Sequence, residues 1–394
     1  KFVIYFIMYK RILNLPLSTS ETCFLWGPRQ TGKSTLLKAI YPDAKRYDLL
    51  LSDQYQRLLL QPSLIREECL AIDLKGENQI SPIIVDEVQK IPILLDEIHW
   101  LIENRKLRFI LCGSSARKVK RGRGNLLGGR AVRYELHPLV YPEIPDFSLE
   151  RALNAGLLPR HYLSKSPQQL LQAYVGDYLK EEIAAEALTR NIPAFSRFLQ
   201  IAALTNGELT NYSNIASECG VSAPTVKEYF NILEDTLIGR MLPAFRKRAK
   251  RRLIGAPKFF FFDIGIVAHL TRRGKVEPGS ELFGRAFEHL IYMELNAHSS
   301  YTEINYPIAY WKTASGFEVD FVLGDHEIAI EIKGTDMVTN KHMKGIRAFK
   351  EEYHARSYIV VSMDTNPRRT EDGVEILPWH VFLDRLWDNE IIAT

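Results

Sequence analysis

Nine consecutive residues, Gly27-Pro28-Arg29-Gln30-Thr31-Gly32-Lys33-Ser34-Thr35, match the pattern G-x-x-x-x-G-K-[ST] in full. This pattern constrains the fold more than any other stretch, because it works only between a buried strand and a helix N-terminus. Residues 24–26 read as that strand and residues 34–40 as that helix. Gly27 and Gly32 permit backbone conformations that other residues resist, so successive N–H groups can turn inward toward phosphate oxygens. The helix N-terminus adds partial positive charge. Lys33 is expected to reach the β- and γ-phosphates of ATP, and Ser34 to ligate Mg2+.

Ile83-Ile84-Val85-Asp86-Glu87 supplies the partner element. Three β-branched residues deliver Asp86 to the end of a buried strand, where it is expected to hold Mg2+ through water, with Glu87 polarising the attacking water. A pair of acids closing a strand also serves as a helix cap, the plainer alternative. The next apolar run, Phe109-Ile110-Leu111-Cys112, ends in Gly113-Ser114-Ser115. Ser114 is the candidate γ-phosphate sensor, with Ser115 second; a simple Gly-Ser turn is the alternative. Short buried strands alternating with amphipathic helices predict an α/β sandwich over residues 1–145.

At 394 residues the chain is too long for one ordinary domain. Three prolines, Pro138, Pro142 and Pro145, break the α/β pattern and mark a boundary. Residues 146–205 read as a helical lid or linker, in which 168–190 is the clearest amphipathic run. Residues 206–275 read as a compact reader module, and 276–394 return to strands and helices. The net charge of +4 does not by itself argue for nucleic acid. The four cysteines lie far apart without metal-ligand spacing, the pattern of free thiols in a reducing cytoplasm. The apolar run at residues 2–9 is too short to span a bilayer and lacks a cleavage site, so it is expected to pack on the α/β core. No membrane contact is expected elsewhere. The ten histidines show no ligand spacing.

Residues 209–237 have a helix–turn–helix outline: a short helix, Gly220 as its turn, Ser222 as the next cap, and Pro224 early in the second helix. Ile215, Ala216, Val221, Val226, Phe230 and Leu233 form the expected core stripe, with Lys227 facing out. The run Arg246-Lys247-Arg248-Ala249-Lys250-Arg251-Arg252 follows; six of its seven residues are cationic. On a hairpin wing these could lie along a DNA backbone without reading sequence. A wing used only for packing or oligomer contacts is the alternative.

Farther on, Glu288 sits in an amphipathic helix. Asp320 lies in Glu318-Val319-Asp320-Phe321-Val322, and Glu331 and Lys333 lie in Ile330-Glu331-Ile332-Lys333. Residues two apart on a strand share a face, and a Gly324-Asp325 turn would bring Asp320 near Glu331. Two surface strands carrying salt bridges would give a similar pattern.

The motifs Gly-Pro-Arg-Gln-x-Gly-Lys-Ser, Asp-Glu-Val-Gln, Gly-Ser-Ser-Ala-Arg, and Gly-Gly-Arg followed by His-Pro-Leu resemble a family of prokaryotic AAA+ ATPases with a C-terminal domain of unknown function. The resemblance runs from Arg11 to about Pro378. It implies a homo-oligomer, a ring or another assembly, with an arginine of one subunit completing the next subunit's site. Arg130 is the first choice for that role and Arg117 the second. The glycine-rich basic stretch 118–130 is a mobile loop or a solvated connector on this reading. The C-terminal pattern resembles the PD-(D/E)xK nuclease fold. By that resemblance Asp320, Glu331 and the carbonyl of Ile332 hold Mg2+, Glu288 adds a helix ligand, and Lys333 orients a water; a Val stands before Asp320 where the pattern has Pro. These readings combine into an ATP-driven machine acting on DNA. The competitors are a regulatory ATPase switch with a non-cleaving C-terminal module, and a mobile-element or toxin-type nuclease.

Overall fold

The computed structural model describes residues 9–15, 21–71, 81–115, 127, 131–179, 191–247 and 250–393. They fall into two compact units, one of residues 13–137 with 231–238, the other of 9–12, 138–230 and 239–393.

The first unit is built on β1 (Thr22–Trp26), α1 (Lys33–Ile40), β2 (Arg46–Asp48), α2 (Ser52–Leu60), α3 (Leu64–Ala71), β3 (Ile83–Asp86), α4 (Leu94–Arg105), β4 (Phe109–Gly113) and β5 (Ala131–Glu135). The strands form one parallel sheet in the order β2-β3-β4-β1-β5. β1 and β4 are buried along their whole length, which is why they read as continuous apolar runs. Phe24, Trp26, Val85, Leu94, Ile98, Phe109 and Leu111 make the core on one face, and Phe24 and Trp26 stack at 5.2 Å. Register decides where the chemistry goes. Asp86 pairs with Cys112, and Trp26 with Gly113. The residues that follow β1, β3 and β4 therefore emerge level at one edge, outside the carboxyl ends of three adjacent strands, where open α/β sheets bind ligands.

The second unit begins with short helices: α5 (Leu149–Ala155), α6 (Pro159–Leu163), α7 (Pro167–Ala173) and α8 (Ile192–Leu204). Within the described residues, the amphipathic run expected over 168–190 begins as the helix α7. It passes into a wide π-type turn at Tyr174–Leu179, and residues 180–190 lie outside the described residues. Then come α9 (Tyr212–Cys219), α10 (Ala223–Asp235), β6 (Gly239–Leu242) and β7 (Lys258–Phe261), with β6 and β7 an antiparallel hairpin. Gly220 ends α9 at φ 69°, and Ser222 accepts from Thr225 N at the start of α10. Ile215, Ala216, Val226 and Phe230 are buried, while Val221 is half-buried and Lys227 exposed. Phe230 meets Phe198 and Phe259 edge-on at 4.8 and 4.9 Å.

The remainder is α11 (Ile264–Leu270), α12 (Glu281–Tyr301), β8 (Ile308–Lys312), β9 (Glu318–Leu323), β10 (Ile328–Lys333), α13 (Lys344–Glu352), β11 (Ser357–Ser362), β12 (Arg368–Arg369), β13 (Val374–Pro378) and α14 (Trp379–Trp387). Its mixed sheet runs β12-β13-β11-β10-β9-β8. β8, β9 and β10 form an antiparallel meander, and β10, β11 and β13 are parallel. α13 crosses so close to β9 that a Cβ on Gly345 would lie 1.8 Å from the Glu318 carbonyl oxygen. Only glycine fits there.

Candidate functional site

The loop after β1 closes around Lys33. A Cβ on Gly27 would stand 2.5 Å from Leu136 O, so the backbone approach there needs glycine. Gly32 sits at φ 96° just before α1. Thr31 Oγ1 donates to Pro28 O at 2.9 Å. The Lys33 ammonium donates to Gly27 O at 2.7 Å and Pro28 O at 2.9 Å. Burial holds its pKa below the ordinary lysine value, against the pull of Cys112, Glu87 and Asp86. Ser34 Oγ donates to Asp86 Oδ2 at 2.7 Å, and Cys112 Sγ donates to Asp86 Oδ1 at 2.7 Å. Burial and the adjacent Asp86 raise the Cys112 pKa, so this thiol stays protonated as a donor.

Glu87 adopts a left-handed conformation, φ 57° and ψ 41°, uncommon for a non-glycine. That turn folds the chain back so that Gln89 Nε2 donates both to Glu87 Oε2 and to Ser114 Oγ, the latter at 3.1 Å. Gly113 makes the room, since a Cβ there would meet Gln89 Oε1 at 2.1 Å. Gln89 was not singled out for a role from the sequence. Its place depends on the Glu87 turn, which no spacing reveals. Ser114 and Ser115 are both buried. The hard oxygens of Ser34 and Asp86 beside a glycine-lined cradle fit a nucleotide phosphate with Mg2+. Arg130 and Arg117 lie outside the described residues.

A second group of ionisable side chains lies on the β9–β10 hairpin. The ladder pairs Ile330 with Phe321 and stops there. At the next step Asp320 Oδ2 accepts from Ile332 N at 2.7 Å, so a side chain replaces a strand carbonyl. Glu331 Oε1 pairs with Lys333 at 2.5 Å, while Glu331 Oε2 is buried with no hydrogen-bond donor among the described residues. Burial raises the pKa of both Asp320 and Glu331; Asp320 adds to the effect on Glu331. A cavity of about 410 Å³, lined by Glu318, Glu331, Lys333, Lys341 and Lys344, opens beside them. Glu288, the helix ligand that the resemblance implied, pairs with Lys258 at 3.2 Å. Among the described residues no three His, Cys, Asp or Glu side chains are grouped to hold a metal ion. The orphaned Glu331 oxygen near Asp320 fits a seat of two carboxylates. Lys258 was missed because β7 and α12 are distant in sequence; Glu318 was legible, two residues before Asp320.

The cationic run after β6 does not project as a free wing. Lys247 pairs with Asp325 at 2.6 Å. Arg251 pairs with Glu351 at 2.5 Å and Glu352 at 2.9 Å and lies over the Phe317 ring at 5.6 Å. Arg246 donates to Gly255 O. Phe245 N donates to Tyr310 O and Ile254 N to Lys312 O, at 2.7 and 2.9 Å. The loop thus straps over β8, the edge strand of the mixed sheet, and covers polar backbone that would otherwise template another chain. Lys250 and Arg252 are exposed; Arg248 lies outside the described residues.

The parallel sheet, the phosphate-loop cradle and the acids at the neighbouring strand ends define a P-loop nucleoside triphosphatase. Residues 19–145 match a family model described as AAA domain, which supports an AAA-like ATPase. Residues 146–277 match a domain of unknown function, DUF8612, and residues 283–382 a second, DUF4143. Among solved structures, the Walker-type ATPase of Pyrococcus abyssi is 15% identical, with 64% of this chain and 91% of that chain covered and a TM-score of 0.39. A Signal Transduction ATPase with Numerous Domains (STAND) protein with a tetratricopeptide repeat sensor, from Pyrococcus horikoshii, is 14% identical, with 72% and 48% covered and a TM-score of 0.22. Neither superposition is close enough to carry an argument. No curated protein matches the chain. No described helix is long and apolar enough to cross a membrane.

Proposed function

We propose that the chain is a Mg2+-dependent ATPase whose turnover drives or switches an action on DNA, with the β9–β10 centre binding or cutting the strand. The observation that carries the ATPase half is the alignment of Lys33, Ser34, Asp86, Glu87, Gln89 and Ser114 at one strand-end edge. Mg2+ held by Ser34 and Asp86 would draw charge from the β- and γ-phosphate oxygens. Lys33 leaves its two loop carbonyls to neutralise those same oxygens. Glu87, held by Gln89, orients the attacking water and accepts its proton. Ser114 reports the γ-phosphate through Gln89. An arginine from a neighbouring subunit, Arg130 on the present reading, completes the charge balance in an oligomer.

The DNA half rests on the hairpin pattern of Asp320, Glu331 and Lys333, on the helix–meander–helix–strand order from α12 to β11, and on the lysine-rimmed cavity. These features support the reading of a PD-(D/E)xK-like fold, and the helices and hairpin from α8 to β7 support that of a winged helix. Lys227, Lys250 and Arg252 are the exposed cations that remain for backbone contact. A second reading, a non-cleaving module that recognises a partner, is favoured by the internal ion pairs of Lys247, Arg251 and Lys258. The deciding experiment measures ATP turnover with and without a panel of duplex and branched DNAs, with cleavage read in the same tubes. DNA-stimulated turnover supports the first reading, and cleavage lost in Glu331→Ala supports a cutting centre. Turnover indifferent to DNA, with no salt-dependent binding, supports the second.

A further inference from the structure

Lys258, the first residue of β7, is buried; its side chain is 5% exposed. Its ammonium lies 3.2 Å from Glu288 Oε1 and 2.8 Å from Glu318 Oε1, and 5.3 Å over the Tyr310 ring. A lone buried ammonium is costly and tends to lose its proton. Here two carboxylates, Glu288 and Glu318, close on the ammonium directly and compensate its charge. The β6–β7 hairpin therefore delivers a fixed positive charge into the carboxylates of the C-terminal sheet.

The charge count is simple. Glu288, Glu318, Asp320 and Glu331 contribute four negative charges when ionised. Lys258, Lys312 and Lys333 return three, through pairs with Glu288 and Glu318, Glu318, and Glu331. Two further lysines, Lys341 and Lys344, line the same cavity, so a second divalent cation would meet a surplus of positive charge. The partners agree with the count. Glu288 and Glu318 are both occupied by lysines. Among the described residues, the carboxylate oxygen that is buried and unpartnered belongs to Glu331, across the hairpin from Asp320, and Glu331 lines the cavity by which an ion would enter.

We infer that this centre takes a single divalent cation, at Glu331 with Asp320, and that Lys258 supplies the positive charge at Glu288 in place of a second ion. The inference rests on the metal-centre reading of the hairpin given above. It makes Lys258 a positioning residue and removes Glu288 from the ligand set. It also places part of the centre's charge on the hairpin that precedes α11 rather than on the mixed sheet itself.

The test is Mn2+ titration of the full chain without nucleotide, by electron paramagnetic resonance and calorimetry. An Asp86→Ala background keeps the ATP site silent. The parent is expected to bind one ion, lost in Glu331→Gln and retained in Glu288→Gln. Lys258→Met is expected to admit a second ion or tighten the first by about tenfold, because an attractive carboxylate pair is uncovered. Lys258→Arg is expected to restore the parent's behaviour. Because Lys258→Met leaves buried acids unpaired, Lys258→Met with Glu288→Gln is a second, better-balanced variant, expected to return to one ion. Two ions in the parent, or loss of binding in Glu288→Gln, overturns the inference. Mn2+ in the parent with no change in Lys258→Met sinks the role of Lys258 alone, whereas no Mn2+ in any of these proteins sinks the metal-centre reading with it.

Discussion

Ser34 donates its hydroxyl hydrogen to Asp86 across 2.7 Å, tying the first turn of α1 to the end of β3. Both groups are oxygen donors of the kind Mg2+ prefers, and each supports the other in place. Ser34→Ala should raise the Mg2+ concentration that half-saturates ATP turnover by about tenfold while leaving Mg2+-free nucleotide binding unchanged. A Mg2+ titration of turnover checks this; an unchanged midpoint would remove Ser34 from the metal's shell.

Gln89 holds Glu87 and Ser114 through one amide. Gln89→Ala should release Glu87 from its water-orienting position. Turnover should fall by about 10- to 100-fold, with nucleotide affinity within about threefold of wild type, the signature of a lost orienting contact. Gly113→Ala should act in the same direction, because its Cβ would occupy the space of Gln89 Oε1. Steady-state kinetics paired with a nucleotide-binding titration separates the two quantities.

Asp263 is completely buried. It accepts from Leu157 N at 2.7 Å and Gly265 N at 2.9 Å, so it caps α11 and secures the turn after α5 at once. A Cβ on Gly156 would lie 2.2 Å from the same carboxylate. Asp263→Ala leaves two buried N–H groups without acceptors and should cost about 2–4 kcal/mol in urea unfolding of the second unit. Asp263→Asn, which keeps one acceptor, should cost less.

His161 is fully buried, and burial lowers its pKa to about 4, with Arg160 adding to the effect. Neither ring nitrogen has a hydrogen-bond partner among the described residues. The folded pKa lies below the unfolded one, so the unfolded chain binds the proton more readily. Stability is complete above about pH 6.5 and is lost as pH falls toward 4, by up to about 1.4 kcal/mol per pH unit. His289 and His298 share this direction, each lowered to about 4 by burial. His161→Phe, which preserves the edge-on contact with Tyr174, should flatten part of the acid slope. Denaturation midpoints from pH 7 to 4.5 give the measurement.

The nucleotide site was legible because its signals are local. A glycine pattern between a strand and a helix, and two acids after a β-branched run, need no knowledge of distant partners. The hairpin of Asp320, Glu331 and Lys333 was legible for the same reason, since alternation along two adjacent strands sets the shared face. Where partners are remote, the sequence was silent or misleading. The cations at 246–252 looked free for phosphates. Two of them, Lys247 and Arg251, pair with Asp325, Glu351 and Glu352, which lie roughly 80–100 residues away, and composition cannot pair them. Lys258 hid for that reason at the head of an aromatic strand.

The central claim is that Glu87 prepares water for attack on a triphosphate gripped by Lys33. Glu87→Gln tests it most directly, in a single preparation assayed for ATP binding and for turnover. The account predicts nucleotide affinity within about threefold of wild type and turnover lowered by about 100-fold or more. Turnover at the wild-type rate, or loss of nucleotide binding altogether, would contradict it.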